Sequence, residues 1–408
     1  MRSVEEHRQV IAGLVHTRPA VAMAPGDALG LVLAEDVVAA LSLPGFDNSA
    51  MDGFAALATD IAAAGAETPV TLPVTDDIPA GRTDTQPLEP GTAQRIMTGA
   101  PLSAGATTVV PVESTDADFS TNAPTVQIRA STREGQHIRR AGEDVAAGTT
   151  VLRAGQLLTP AALGLVAALG LAEVSVLPRP RVLVMSTGSE LVAPGTPLLP
   201  GQIYESNAVM LAAAVRDAGA EVIASVMVGD DVSAFRAALD AHAPQADLII
   251  TTGGVSAGAY EVVKDALVGS ENSTVEFVKV AMQPGMPQGS GRVAGVPIVT
   301  LPGNPVSALV SFEVFLRPPL RAAMGLPADR PRITATLAEN LTSPAGKRQF
   351  RRGVLAFEKG QAVVTSYGPP ASHHLRWLAS SNCLLDIPQG VDKVAAGSQV
   401  DVWDLSTT

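Results

Sequence analysis

The segment from residue 181 to residue 320 constrains the fold most, because strand-like and helix-like runs alternate along it. The strand-like runs are apolar, and they lie at 181–188, 220–228, 246–254, 274–282 and 296–304. The helix-like runs lie at 206–219, where Ser206 is the expected N-cap, and at 231–242, 261–268 and 305–320. Apolar strands that alternate with helices are typical of a parallel sheet covered on both faces. This segment is therefore predicted to form a doubly wound, mostly parallel α/β domain.

The rest of the chain has other patterns. Residues 3–17 have the spacing of an amphipathic helix, and Thr159 followed by Pro160 predicts the start of another. Short Val/Ile runs within 44–148 predict small β-structure with long loops, and after Pro331 the pattern predicts hairpins without helices. We therefore expect an α/β multidomain chain with four parts. These are an elongated N-terminal α+β part (1–43 with 147–178), an inserted small β-rich domain (44–146), the doubly wound domain (179–326) and a C-terminal small β-domain (327–408).

Composition excludes several classes of protein. The longest apolar run, residues 161–172, is too short to span a bilayer, and the N-terminus lacks a signal-peptide core, so a soluble cytoplasmic protein without membrane association is expected. Cys383 is the single cysteine, which excludes an intramolecular disulfide and a thiolate metal site. The formal net charge of −12 argues against nonspecific nucleic-acid binding.

The same net charge would repel an anionic substrate unless basic patches locally reverse the field. Two such patches occur, and each has an equally good alternative interpretation as a solvated surface. They consist of Arg139 and Arg140 in "HIRR", and of Lys347, Arg348, Arg351 and Arg352 in "GKRQFRRG".

Three predicted strand ends carry polar, Gly-rich sequences: "STGSEL" at 186–191, "TTGGVSAG" at 251–258 and "LPGNPVSA" at 301–308. Ligands of open parallel sheets bind beyond the carboxyl ends of the strands, and bare amides at a helix N-terminus suit a phosphate. Each loop alone is slightly better explained as an ordinary turn, and Ala259 stands where a Walker A loop requires lysine. Together they favour a phosphate-bearing ligand.

Acidic residues near the same edge could hold a magnesium ion that bridges such phosphates. They are Glu190, Asp230, Asp231 and Glu261. The alternative is that they stabilise helix N-termini, above all Asp231, which precedes Ser233.

The stretch "LPGFDNSAMDGFAAL" at 43–57 contains Asp52 followed by Gly53. Asp-Gly is a strong turn signal because glycine readily adopts positive φ, so local sequence favours a structural turn over a site.

Six motifs occur in the order found in one family: "PGFDNSAMDGF", "RIMTGAP", "RRAGEDV", "STGSEL", "TTGGVSAG" and "LPGNPVSA". On these residues the chain resembles, over essentially its whole length, the bacterial MoeA family of molybdopterin molybdenumtransferases, which is related to the E domain of gephyrin. The resemblance implies a molybdopterin-binding type of doubly wound domain. It also implies Mg²⁺-dependent insertion of molybdenum from molybdate into adenylylated molybdopterin, with phosphoanhydride hydrolysis and release of AMP.

The resemblance further implies a homodimer whose active site lies between subunits, with a molybdopterin adenylyltransferase upstream and molybdoenzymes downstream. Asp52, Thr98, Asp144, Glu190, Asp230 and Glu261 match catalytic positions, and Glu190, Asp230 and Glu261 are the implied metal ligands. Asp52 would reach into a partner's cleft. The segment "MDGF" would then be both a structural turn and part of the active site. The expected cofactor-binding residues are Ser186, Thr187, Gly188, Gly253, Gly254, Ser256, Lys279, Pro302, Gly303, Asn304, Pro305, Ser307 and Ser372.

The chain departs from the family pattern at three positions. Glu261 stands where the family has aspartate, and Gln283 and Met286 replace lysines that the family often uses for anion binding, whereas Lys279 remains. Two other functions therefore stay open. One is adenylyl transfer to molybdopterin, and the other is a non-catalytic cofactor carrier or scaffold.

Overall fold

The computed structural model describes residues 1–254, 262–270 and 272–406. The chain divides into two compact units: a larger unit of Met1–Val21 with Val176–Thr408, and a smaller unit of Ala22–Ser175. The predicted division into four parts remains a prediction. None of the helices in the described part of the chain is long and apolar enough to cross a membrane.

The first helix belongs to the larger unit and is shorter than predicted. It is α1 (Val4–Ala12), and it ends before Gly13 instead of continuing to residue 17. A capping box starts it, because Ser3 Oγ accepts from Glu6 N while the Glu6 carboxylate accepts from Ser3 N.

The smaller unit is built mainly from short strands, as its Thr-, Pro- and Gly-rich sequence predicts. A five-stranded sheet in the order β8-β5-β7-β6-β9 forms its centre. Apolar side chains are buried on both faces of this sheet, around Phe54 on one face and around Ala55 on the other. The elements that begin in or before this unit are β1 (Val21–Met23), β2 (Val32–Leu33), β3 (Val37–Val38), β4 (Asn48–Ser49), β5 (Gly53–Ala56), β6 (Val70–Ile78), β7 (Ala93–Ile96), β8 (Thr108–Pro111), β9 (Thr125–Ile128), β10 (Ile138–Arg139), β11 (Thr150–Leu152), α2 (Pro160–Ala168) and β12 (Val174–Leu177). Thr159 caps α2 as predicted, since Thr159 Oγ1 accepts from Ala162 N.

The doubly wound domain is confirmed in the larger unit. Its elements are β13 (Arg181–Thr187), β14 (Leu191–Val192), β15 (Ile203–Tyr204), α3 (Asn207–Asp217), β16 (Glu221–Val228), α4 (Val232–His242), β17 (Leu248–Thr252), α5 (Val262–Leu267), β18 (Glu276–Lys279), β19 (Met282–Gln283), β20 (Pro287–Val293), β21 (Val296–Leu301), α6 (Pro305–Ser311) and α7 (Arg317–Ala323). A π-helical turn at Phe312–Leu316 joins α6 to α7.

Its six-stranded sheet has the order β16-β13-β17-β21-β20-β18. β16, β13, β17 and β21 are parallel, whereas β20 and β18 are antiparallel additions at one edge. β20 was not predicted, because its sequence PQGSGRV contains Pro and two Gly and lacks a continuous apolar run. Alternate residues of the central strands enter two different cores: Val184 and Ile250 pack on the side of α3 and α6, and Met185 and Ile249 pack on the side of α4 and α5. Full burial of such a side chain contributes about 1.5–3 kcal/mol, so both covered faces stabilise the sheet.

The C-terminal segment forms a closed β-barrel within the larger unit. Its elements are β22 (Arg332–Leu337), β23 (Leu341–Thr342), β24 (Arg348–Glu358), β25 (Gln361–Ser366), α8 (Leu375–Ala379), β26 (Cys383–Ile387), β27 (Lys393–Val394) and β28 (Gln399–Asp404). β24 pairs with both β25 and β26, which closes the ring through β22 and β28. The prediction that helices stop after Pro331 is wrong at α8. β24 and β25 form one of the predicted hairpins, and Lys359 and Gly360 in its turn have φ of 50° and 84°.

Candidate active site

A cavity of about 980 Å³ opens in the larger unit at the carboxyl ends of β13, β17 and β21. The three polar loops predicted from the sequence meet there, since Ser186–Gly188, Thr252–Gly254 and Pro302–Pro305 all line it. Ser307 and Ser372, both predicted cofactor-binding residues, line it as well. Ser256 and Glu261 lie outside the described residues.

The turn at 302–305 is held from two sides by side chains of neighbouring elements. Thr252 Oγ1 donates to Pro302 O (3.1 Å), and Asn207 Nδ2 donates to Gly303 O (2.6 Å). Asn304 is the N-cap residue of α6 and Pro305 opens the helix, as predicted, although the Asn304 side chain makes no capping hydrogen bond. The carbonyl of Ser372 accepts from Val306 N (3.0 Å), so the C-terminal segment closes over the start of α6.

Glycine is required where two of these turns approach each other. Gly253 has φ of 93°, and a Cβ atom there would lie 2.5 Å from the carbonyl oxygen of Thr187. A Cβ on Gly303 would lie 3.5 Å from Gly253 Cα, which is an ordinary contact distance, so the two turns touch there but glycine is required only at 253. The backbone of these turns is therefore packed closely around the end of the cavity.

Two hydroxyl groups at the end of β13 have no hydrogen-bond partner among the described residues. Ser186 and Thr187 are 1% and 6% exposed, and both line the cavity. Leaving a buried hydroxyl without a hydrogen-bond partner costs free energy. These groups are therefore suited to form hydrogen bonds with a bound ligand.

Of the acidic residues expected at this edge, Glu190 and Asp230 line the cavity and Asp231 does not. Asp231 Oδ1 accepts from Ala234 N (2.7 Å), which confirms the alternative interpretation that Asp231 caps a helix, here α4. Asp230 Oδ2 accepts from Ser189 N (2.9 Å), while Ser189 Oγ accepts from Asp230 N, and this reciprocal pair fixes the loop after β13 to the loop after β16. The carboxylate of Glu190 lies against Gly188, where a Cβ atom would come within 2.6 Å of Glu190 Oε2.

The described residues contain no cluster of three His, Cys, Asp or Glu side chains that could hold a metal ion by itself. Glu190 and Asp230 supply two carboxylates at the cavity, and neither forms an ion pair within the described residues. Mg²⁺ is commonly held by one or two carboxylates together with substrate phosphates and waters. This donor set therefore fits a magnesium ion that arrives with a phosphate-bearing ligand.

Lys347 is the one lysine or arginine among the described residues that line the cavity, and it is not among the predicted site residues. It directly precedes β24, which pairs in parallel with β19 and brings Lys347 beside the segment 282–287. Gln283 and Met286 line the same wall, and Gln283 Oε1 accepts from Gln349 Nε2 (3.0 Å). Lys279 is exposed on β18 and is absent from the described lining. The signal for Lys347 was the basic patch "GKRQFRRG".

The other arginines of that patch are engaged within the protein, so its interpretation as a solvated surface is wrong for them. Arg348 pairs with Asp386 and with Glu5. Arg351 donates to Ser366 Oγ, and Arg352 donates to the carbonyls of Pro369 and His374. Arg352 thereby supports the loop at 370–373, which lines the cavity.

In the smaller unit, Asp52 and Thr98 are in direct contact. Thr98 N and Thr98 Oγ1 donate to the same oxygen, Asp52 Oδ1, at 2.7 and 2.8 Å. The backbone amide of Thr98, followed by its hydroxyl, holds the pKa of Asp52 below its usual value, and the carboxylate is exposed. Asp52 is therefore an oriented, ionised carboxylate at the surface of this unit.

The Asp-Gly turn prediction is wrong in its physical reason. Gly53 does not have positive φ; it is the first residue of β5. A Cβ atom on Gly53 would lie 1.9 Å from the carbonyl oxygen of Val110, so glycine is required by the close approach of β8.

Asp144, the third site residue predicted in this unit, is exposed, and among the described residues no hydrogen bond joins it to Asp52 or Thr98. Its backbone amide donates to Leu43 O (3.1 Å), so Asp144 is placed beside the start of the "LPGFDNSAMDGF" segment. In the first basic patch, Arg140 pairs with Asp47 at 2.6 Å, and the amide of Ala141 also donates to Asp47. These contacts tie "RRAGEDV" to "PGFDNSAMDGF".

Comparison with protein families and known structures gives one consistent result. The MoeA N-terminal region (domain I and II) matches residues 2–170, a probable molybdopterin-binding domain matches 183–322, and the MoeA C-terminal region (domain IV) matches 334–405. The chain is 65% identical to molybdopterin molybdenumtransferase 2 of Mycobacterium tuberculosis (strain ATCC 25618 / H37Rv) over the full length of both proteins. It is 36% identical to the molybdopterin molybdenumtransferase of Haemophilus influenzae, covering 92% of this chain and 91% of that protein. The crystal structure of the molybdopterin biosynthesis MoeA protein of Pyrococcus horikosii superposes with a TM-score of 0.78 at 26% identity, covering 99% of this chain and 98% of that one.

Proposed function

Because the chain belongs to the MoeA family of molybdopterin molybdenumtransferases, enzymes of molybdenum cofactor biosynthesis, we propose that it acts on adenylylated molybdopterin. In this reaction molybdenum from molybdate enters the dithiolene of the pterin, and the phosphoanhydride is hydrolysed. Water adds to one phosphorus and the bridging P–O bond breaks, so that AMP leaves. The observation that carries this proposal is the cavity, which gathers three backbone turns, two unpartnered hydroxyls and Lys347 around space for a nucleotide-sized ligand.

The turns and hydroxyls would bind and orient the phosphates. The backbone N–H groups of Gly303 and Asn304 can donate to an anion, since Thr252 and Asn207 hold the carbonyls of Pro302 and Gly303 in the same turn. The hydroxyls of Ser186 and Thr187, which no described residue engages, can contribute further donors. Cleavage of a phosphoanhydride depends mainly on positioning and on charge neutralisation, so no protein nucleophile is required.

A divalent cation would be held by Glu190 and Asp230, with Glu261 as a further expected ligand. Bound there, Mg²⁺ would supply neutralisation of the phosphate charge. Lys347 would add a fixed positive charge to the same cavity, where Gln283 and Met286 provide none. Lys347 is therefore our candidate for the anion contact that lysines at those two positions would otherwise make.

We also infer that the chain works as a homodimer. In the resembling family, the active site combines the doubly wound domain of one subunit with the β-rich domain of the other. The partner subunit's Asp52 would then complete the cavity, with Thr98 fixing its orientation and charge. Asp144 is proposed to act from the same domain. The enzyme would receive its substrate from a molybdopterin adenylyltransferase, deliver its product toward molybdoenzymes and work in the cytoplasm.

The test is AMP release from purified protein loaded with adenylylated molybdopterin and Mg²⁺, with and without molybdate. We expect molybdate-dependent release that is lost in Asp52→Ala and kept in Asp118→Ala, a matched change at an exposed aspartate of the same unit. Tight substrate binding without release would reject the proposed reaction and favour the carrier or scaffold function. Formation of adenylylated molybdopterin from ATP would favour the adenylyltransferase function.

A further inference from the structure

Glu205 is a buried carboxylate that the proposed reaction does not yet use. It follows β15, is 6% exposed and lines the cavity. Glu205 Oε1 accepts from Ala208 N at 2.7 Å, so this carboxylate caps α3. The predicted cap, Ser206, makes no capping hydrogen bond.

The cap accounts for the hydrogen bond of Glu205 Oε1, but it does not account for the position of this carboxylate at the cavity. Among the described residues Glu205 has no lysine, arginine or histidine partner, although a buried charge is normally paired. The carboxylate is thus left with hydrogen-bond capacity that a ligand can use.

A second acceptor lies two residues further along the chain. The amide nitrogen of Asn207 is committed to Thr252 and Gly303, whereas Asn207 Oδ1 is buried and has no partner within the described residues. Asn207 also lines the cavity. The start of α3 therefore presents acceptors, and a complementary ligand must present hydrogen-bond donors at that place.

We infer that Glu205 recognises the 2-amino-4-oxopyrimidine edge of the pterin. That edge carries two adjacent donors, the ring N3–H and the 2-amino group, which match the two oxygens of one carboxylate. The edge of adenine instead places an acceptor beside its amino group, so Glu205 selects the pterin half of the substrate over the nucleotide half. This inference rests on the proposed function, because it assigns a place to one part of that substrate.

The test uses two small probes, pterin and lumazine. Lumazine differs from pterin in having an oxo group in place of the 2-amino group. For the unmodified protein we expect pterin to bind at least about tenfold more tightly, because lumazine sets an oxygen against the carboxylate. In Glu205→Gln the carboxamide can still accept from Ala208 N, and its NH₂ group can donate to the lumazine oxygen. The preference should therefore disappear or reverse, whereas Glu221→Gln, at an exposed glutamate of β16, should keep it.

Binding is measured by quenching of the intrinsic fluorescence of the probes, and a thermal unfolding curve verifies that Glu205→Gln is folded. If the unmodified protein binds pterin and lumazine equally, or binds neither, the inference is overturned. It is also overturned if Glu205→Gln keeps the preference. Pterin selectivity that depends on Glu205, in a protein that fails to release AMP, would support this inference while rejecting the proposed reaction.

Discussion

Thr98 donates two hydrogen bonds to the same oxygen of Asp52, one from its backbone amide at 2.7 Å and one from its hydroxyl at 2.8 Å. The second carboxylate oxygen of Asp52 accepts no hydrogen bond from the residues that the structure describes, so it is available to another partner. Since charge-assisted hydrogen bonds favour the ionised form, the pKa of Asp52 lies below its usual value. Thr98 of "RIMTGA" thus orients the carboxylate of Asp52 in "MDGF" and favours its ionised form.

Thr98→Val removes the hydroxyl donor and keeps the backbone amide. The pKa of Asp52 should therefore rise toward its usual value, and the acidic limb of the pH–rate profile should move to higher pH. Thr98→Ser keeps the donor and should leave the profile in place. The measurement is AMP release across the acidic range. A lower rate with an unshifted acidic limb in Thr98→Val would show that Thr98 does not act through the charge of Asp52.

Gly53→Ala should destabilise the smaller unit. The new methyl group would meet the carbonyl oxygen of Val110 at 1.9 Å, which forces β5 away from β8, the strand at one edge of the five-stranded sheet. We expect a loss of about 3 kcal/mol or more in the free energy of unfolding. Urea titration measures this loss, and Gly26→Ala is the control, since nothing lies within 4 Å of its Cβ position and its φ is not positive. An unfolding midpoint equal to that of Gly26→Ala would contradict the packing argument.

Lys347→Gln should weaken binding of AMP about tenfold, because it removes the cation from the described cavity lining. Lys347→Arg should restore most of the affinity. Raised salt should weaken AMP binding by the unmodified protein more than AMP binding by Lys347→Gln. Calorimetric titration with AMP and Mg²⁺ provides the measurement, with Lys393→Gln on exposed β27 as the matched control.

Lys279→Gln separates the two assignments of the anion contact. Lys279 was predicted from the sequence to bind cofactor, but it is exposed on β18 and absent from the described lining. We expect its substitution to change AMP affinity much less than that of Lys347. A larger loss in Lys279→Gln would restore the sequence prediction.

Strand ends were predictable because alternating apolar runs determine the parallel sheet, and a parallel sheet brings its carboxyl ends to one edge. Ser186, Gly253 and Pro302 therefore meet at one cavity as expected. Lys347 and Glu205 were missed because their positions depend on long-range pairing and on a helix cap. Lys347 reaches the cavity through the pairing of β24 with β19, which is more than sixty residues away in the chain. The strand pattern of the sequence does not specify that pairing, and the cap was assigned to Ser206 instead of its neighbour.

His7 should make the larger unit sensitive to acid. Its ring is fully buried on α1 and packs edge-on against Phe315 at 4.7 Å between ring centroids, and Arg2 lies nearby. Burial, with a smaller effect of Arg2, lowers the pKa of His7 to about 4 from the ordinary value of 6.5. Between pH 6.5 and about 4, His7 therefore binds a proton in the unfolded chain but not in the folded protein. The free energy of unfolding should therefore be unaffected by His7 above about pH 6.5. As the pH falls from 6.5 toward about 4, protonation of His7 in the unfolded chain should lower it by up to about 3 kcal/mol.

His7→Gln removes the titrating group while keeping a polar side chain of similar size. Urea titrations at pH 7.5 and pH 5 should show a large difference in the free energy of unfolding for the unmodified protein and a smaller difference for the variant. His16→Gln, at an exposed histidine, should behave like the unmodified protein. An equal loss of stability on acidification in the unmodified protein and in His7→Gln would assign the acid sensitivity to other groups.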